Sequence, residues 1–185
     1  MIRDLTIREA GITDLQTLFE AHLDSVQNLC GGAYSPQQLA VWFEGRSPEI
    51  YRPAIEAHQI WLAERQGRVL GFVGFVPGEV TLLFVRKEVS GLGLGKHLFK
   101  LGLAKAEAGF TGPLTVVATQ NSQPFYQSHG FLPVEELALV RGKAEVKIKV
   151  VRMQRVLAGV AGTAIPIQVS SDSEYLHQPL QRCVP

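Results

Sequence analysis

Apolar positions along the first 157 residues recur with two periods, near two and near 3.6, and these divide the chain into short strands and helices. Ile2, Leu5 and Ile7 among polar residues predict a strand over residues 2–8. Thr13 then precedes a helical pattern in which Leu15, Leu18, Phe19, Leu23 and Val26 recur three or four apart, ending near Gly31-Gly32. Ser35-Pro36 offers a capping hydroxyl and a proline at the first helical position, so a second helix starts there and runs through Leu39, Trp42 and Phe43. Two β-rich stretches, Ile60 to Glu64 and Val69 to Phe75, are split by Gln66-Gly67 and predict a hairpin. Val80 to Val85 is a third such stretch; a glycine-rich connection follows, and Leu94, Leu98 and Leu101 then share one helical face. Leu114 to Ala118 predicts another strand, Asn121 to His129 a short helix stopped by Gly130, and Glu136 to Val140 and Val146 to Met153 a last strand pair. Residues 158–185 show no period and read as an extended or poorly ordered tail on a single domain spanning residues 1–157.

Composition narrows the classes. With 185 residues, 46% of them hydrophobic, the chain can bury about two-thirds of its unfolded surface without disulfides or metals. Lys and Arg number 18 against 17 acids, so no broad positive field draws the molecule to nucleic acid or an anionic membrane, and any anion site must be local. Cys30 and Cys183 lack metal-site or redox spacing, so two reduced thiols and no metal are expected. The charged start and the short longest apolar run, Val69 to Val76, point to a cytoplasmic protein.

The chemistry lies between the third β-rich stretch and the helix after it. In Ser90-Gly91-Leu92-Gly93-Leu94-Gly95-Lys96, three alternate glycines and a lysine stand at a helix N-terminus. Glycines reach positive φ and let the backbone come close, so successive N–H groups converge on one point, where the helix dipole adds about half a positive charge. A phosphate or diphosphate suits that cradle. Ser90 in place of its first glycine and His97 in place of the magnesium-binding hydroxyl argue against a P-loop. Lys96 at its third small position argues against a dinucleotide fingerprint, and a nucleotide-binding enzyme stays as a third option.

The loop instead resembles that of the GCN5-related N-acetyltransferase (GNAT) family, whose pattern is Arg or Gln, two residues, Gly, any residue, then Gly or Ala. It fits from its second position onward, Ser90 standing where the family has Arg or Gln. About 30 residues later, Asn121, Phe125-Tyr126 and Gly130-Phe131 resemble the family's second element in the right order. The resemblance covers residues 3 to 157 and implies an α+β fold, layered α/β/α. Its mixed, mostly antiparallel sheet has about six or seven strands and about four flanking helices, and it splays between the fourth and fifth strands. It also implies an acetyl-CoA-dependent N-acetyltransferase working by direct attack in a ternary complex. A non-catalytic acyl-CoA sensor of the same fold is the alternative.

The residue roles follow from the same resemblance. The pantetheine arm lies along Leu83-Phe84-Val85, the N–H of Leu83 serves the thioester oxygen, and Ser90, Gly91, Leu92, Gly93, Leu94 and Gly95 hold the diphosphate. Lys96 either touches phosphate or is a solvated helix lysine. Tyr126 is the candidate general acid toward the departing thiolate, against the alternative of a packed, passive ring. Asn121 either contacts the coenzyme or caps its helix. Glu79 is the first candidate for the base, against the alternative of an exposed strand-end carboxylate; strict alternation puts it on one strand face with Thr81, Leu83 and Val85, roughly 13 Å from Leu83, so a water must bridge. His97 and His129 read as surface residues. Trp42, Phe43, Tyr34 and Tyr51 are candidates to line an acceptor pocket near the first two helices, with core packing favoured for Trp42 and Phe43 by their helical spacing. The acceptor, a small-molecule or peptide amine, is not legible, and a homodimer stays open.

Overall fold

The computed structural model describes residues 4–156, so Met1 to Arg3 and the tail over 157–185 lie outside the described residues. Seven strands form one sheet in the order β1-β2-β3-β4-β5-β7-β6. In chain order these are β1 (Thr6–Glu9), α1 (Leu15–Leu29), α2 (Pro36–Val41), α3 (Arg52–Glu56), β2 (Ile60–Arg65), β3 (Arg68–Val76), β4 (Glu79–Val85), α4 (Leu94–Glu107), β5 (Leu114–Thr119), α5 (Gln123–Gln127), β6 (Leu132–Arg141) and β7 (Val146–Arg155).

Local chemistry accounts for the boundaries. Ser35 accepts from Gln38 N at 3.2 Å while the Gln38 side chain accepts from Ser35 N at 2.9 Å, a reciprocal cap that starts α2. Gln66 and Gly67 both take positive φ, 53° and 75°, as a two-residue turn between β2 and β3 demands. The stretch before β2, in which no element is expected, holds a 3-10 turn over Pro48–Tyr51 and then α3. Its prolines do not break helix there, because each lies in a first turn, where no N–H is needed.

The sheet divides two apolar layers. Leu18, Val26, Trp42, Leu62, Phe72, Leu82 and Phe84 belong to the layer under α1 and α2. Leu70, Val73, Leu83, Val85, Leu98 and Phe99 belong to the layer under α4. This is the expected three-layer α+β arrangement. Gly102 on α4 faces Val73 so closely that a Cβ would come within 2.3 Å of it, and this contact seats α4 on the sheet. Cys30, at the end of α1, is fully buried and is not a free thiol, which corrects the expectation of two reduced cysteines; Cys183 lies outside the described residues. No helix among the described residues is long and apolar enough to cross a membrane.

Candidate active site

The sheet opens in its middle. β4 and β5 run parallel and pair at only two positions, Glu79 with Thr115 and Val80 with Val116. Beyond these, β4 continues against β3 to Val85 and β5 continues against β7 to Thr119, while the two no longer pair with each other. A bulge marks the parting. Val80 opposes Phe75 and Leu82 opposes Gly74, so Thr81 is the residue inserted between two successive rungs.

The extra residue changes which face each side chain takes. Val80, Leu83 and Val85 all pack in the layer under α4, whereas Leu82 and Phe84 pack under α1. Glu79, next to Val80, is therefore turned to the face of Leu82 and Phe84. Strict alternation placed it with Leu83 and Val85; the bulge at Thr81 is the physical reason it is not there.

Register also fixes where the backbone groups point. Arg86 N donates to Leu70 O at 2.8 Å, so the pair 70–86 is a hydrogen-bonded one, and so are 72–84 and 74–82. The residues between them, Leu83 and Val85, direct N–H and C=O away from β3 and into the opening.

The opening ends at the glycine loop. After β4 the chain makes three tight turns, with Val89 N bonded to Arg86 O at 3.1 Å, Ser90 N to Lys87 O at 3.1 Å and Leu92 N to Val89 O at 3.3 Å. Gly91 and Gly93 follow at φ 75° and 87°, a region that strains any other residue. A Cβ at either would meet nothing within 4 Å, so glycine serves the backbone conformation and an open face rather than internal packing. His97 N bonds back to Gly93 O at 3.1 Å, and the N–H groups of Leu94, Gly95 and Lys96 precede the first intrahelical bond of α4. This concave set of donors suits a diphosphate. Ser90 is half-buried at its entrance, and Lys96 and Leu92 lie exposed on its rim.

On the β5 side, α5 places Tyr126 in the layer under α4, fully buried, with its ring edge-on to Phe99 at 5.4 Å and to Phe125 at 5.3 Å. Asn121 does not cap α5, whose N-cap is Ser122; its Nδ2 donates to Leu29 O at 3.2 Å and ties the end of β5 to the end of α1. His97 is exposed, and His129 packs on Phe125 and bonds its carbonyl at 2.8 Å. Trp42 and Tyr51 are buried in the core, Tyr51 against His22 Nδ1 at 2.7 Å, whereas Tyr34 borders a pocket.

That pocket, about 420 Å³, is lined by Ala33, Tyr34, Gln38, Gln120, Glu136 and Lys149. The last β5–β7 rung joins Thr119 to Val150; one step on, the Tyr34 hydroxyl donates to Lys149 O at 2.7 Å and accepts from Gln120 N at 3.0 Å. The hydroxyl thus stands in for the next rung and holds the pocket wall. Burial pushes this phenol up to about 12, so it stays a donor at neutral pH. Tyr34→Phe leaves an amide and a carbonyl without that partner and is expected to lower stability by about 1–3 kcal/mol in a urea unfolding midpoint; an unshifted midpoint would show that the bridge carries no energy.

Comparison with known proteins follows the same outline. Residues 30–157 match the family model described as an acetyltransferase (GNAT) domain. YafP of Escherichia coli (strain K12), described as an uncharacterized N-acetyltransferase, is 27% identical over 135 residues, 73% of this chain and 86% of its own. A crystal structure of a GCN5-related N-acetyltransferase from Rhodopseudomonas palustris superposes with a TM-score of 0.72 at 20% identity, covering 85% of this chain and 98% of that one. The PaiA N-acetyltransferase of Thermoplasma acidophilum, solved in complex with coenzyme A, gives 0.63 at 19% identity, covering 83% and 99%. With a family model matched over most of its length and the same fold in solved relatives, the chain belongs to the GNAT acetyltransferase family.

Proposed function

We propose that this protein transfers an acetyl group from acetyl-CoA to an amine by direct attack within a ternary complex. The observation that carries the reading is the opening between β4 and β5, into which Leu83 and Val85 direct backbone donors and acceptors and which ends at the glycine cradle. When bound, acetyl-CoA supplies an activated acyl group. The first turn of α4 with Gly91 and Gly93 holds its diphosphate, with Ser90, Leu92 and Lys96 at the edge, and the β4 edge aligns its pantetheine arm as an added strand.

The remaining steps belong to the chain's own groups. Leu83 N–H donates to the thioester oxygen, a contact of about 2.7–4 kcal/mol when negative charge gathers there. Glu79 takes the amine proton through a water, as the C–N bond forms. As the C–S bond breaks, the Tyr126 hydroxyl gives its proton to the leaving thiolate. Cys30, buried and not a free thiol, is no candidate to carry the acyl group, which favours direct attack.

The acceptor enters through the pocket beside Tyr34. Amides (Gln38, Gln120), one carboxylate (Glu136) and one ammonium (Lys149) line it, so a polar amine suits it better than an aromatic one. Calorimetry with coenzyme A, paired with thiol release across amino acids, polyamines, short peptides and arylamines, tests the whole reading. Binding with turnover on a polar amine is expected. Binding without turnover on any amine would instead favour an acyl-CoA sensor, and no coenzyme binding would refute both.

A further inference from the structure

The first helix reaches across to the loop that follows β4. Asp24 Oδ2 on α1 accepts from the backbone N–H of Lys87 at 2.7 Å, where the chain has just left the strand. Beside it Arg86, only 9% exposed, donates Nε to Val69 O at 2.7 Å, and its guanidinium lies 3.7 Å from Glu20, one turn earlier on α1. Arg86 and Lys87 are thus fixed by contacts with other elements. Downstream, Glu88 pairs with Arg68 at 3.3 Å and Val89 and Leu94 are buried in the layer under α4, while the backbone turns at Val89, Ser90 and Leu92 bond back to Arg86, Lys87 and Val89. The amides of Gly91 to Lys96 are therefore aimed by a short chain between two anchors, and the held Lys87 amide is the upstream one. The short Ser90 side chain stands at the loop's entrance and offers no long reach of its own.

We propose that Asp24 is a positioning residue for the coenzyme diphosphate, acting through Lys87 and not by touching the ligand; the inference rests on the loop being the coenzyme site. The sign of its charge supports a geometric role. A carboxylate near a diphosphate is electrostatically unfavourable, so its use lies in the hydrogen bond it accepts, which an asparagine oxygen also accepts.

The test compares acetyl-CoA with acetyl-pantetheine, which carries the same thioester and arm without the diphosphate. Asp24 is half-buried on a helix where alanine is well tolerated, so Asp24→Ala keeps the fold. That variant is expected to raise KM for acetyl-CoA about 10-fold, with KM for acetyl-pantetheine unchanged within about 2-fold, and Asp24→Asn to restore the first value. A merely structural role would weaken both substrates together, and equal KM values for wild type and Asp24→Ala would overturn the proposal directly. If the wild-type protein does not bind acetyl-CoA at all, the functional reading itself fails, an outcome separable from either.

Discussion

Gly93→Asp is expected to abolish measurable coenzyme A binding, whereas Gly93→Asn weakens it only by the local cost of an added side chain. Gly93 stands at φ 87°, and Asn and Asp are the side chains that tolerate this left-handed conformation best. A Cβ there meets nothing within 4 Å, so either variant keeps the packing of the domain. The two side chains are nearly the same shape and differ by one charge. A unit charge about 5 Å from one phosphate charge costs about 3 kcal/mol at an effective dielectric constant near 20, which is more than 100-fold in affinity. Stability should move the other way. An acid at a helix N-terminus gains about 0.3–1 kcal/mol from the dipole, so Gly93→Asp is expected to unfold at the same temperature as Gly93→Asn or slightly above it. Calorimetric titration and thermal unfolding of both variants decide the matter. Equal affinities for the Asp and Asn variants would mean that no anionic ligand lies in the cradle.

This contrast was open to sequence reading because glycine spacing states its own backbone requirement: Gly91 and Gly93 have positive φ, as alternate glycines before a helix lead one to expect. The bulge at Thr81 was not open to it. Leu82 to Val85 is buried on both faces of the sheet, so beyond Thr81 no polar alternation shows that a residue has been inserted, and strict alternation puts Glu79 on the wrong face. The short elements over Pro48 to Glu56, four and five residues long, are too brief to show a helical period, and their prolines sit in the first turn of each. Tyr34 was visible as a pocket candidate, yet its two partners, Gln120 and Lys149, lie far away in sequence and meet it only after β5 and β7 have paired. Asp24 gave no signal at all. An acid on a helix surface is ordinary, and its bond to Lys87 N appears only once α1 has packed across the end of β4.

Tyr126→Phe isolates the chemical step from everything that holds the site together. The ring is fully buried among Phe99, Phe125 and Phe131, and phenylalanine preserves those edge-on contacts while removing one oxygen. If the hydroxyl protonates the departing thiolate, kcat is expected to fall by about 10²–10⁴-fold while KM for acetyl-CoA changes by less than about 2-fold. That pattern would place the lost interaction in the transition state and not in ground-state binding. The nature of the leaving thiol supplies an independent check. An acetyl thioester of a more acidic thiol departs with less need of a proton, so the deficit of the variant should shrink with such a donor, whereas a packing defect would handicap both donors alike. A kcat within about 3-fold of wild type on acetyl-CoA would assign Tyr126 to the core under α4 and leave protonation of the thiolate to water in the opening.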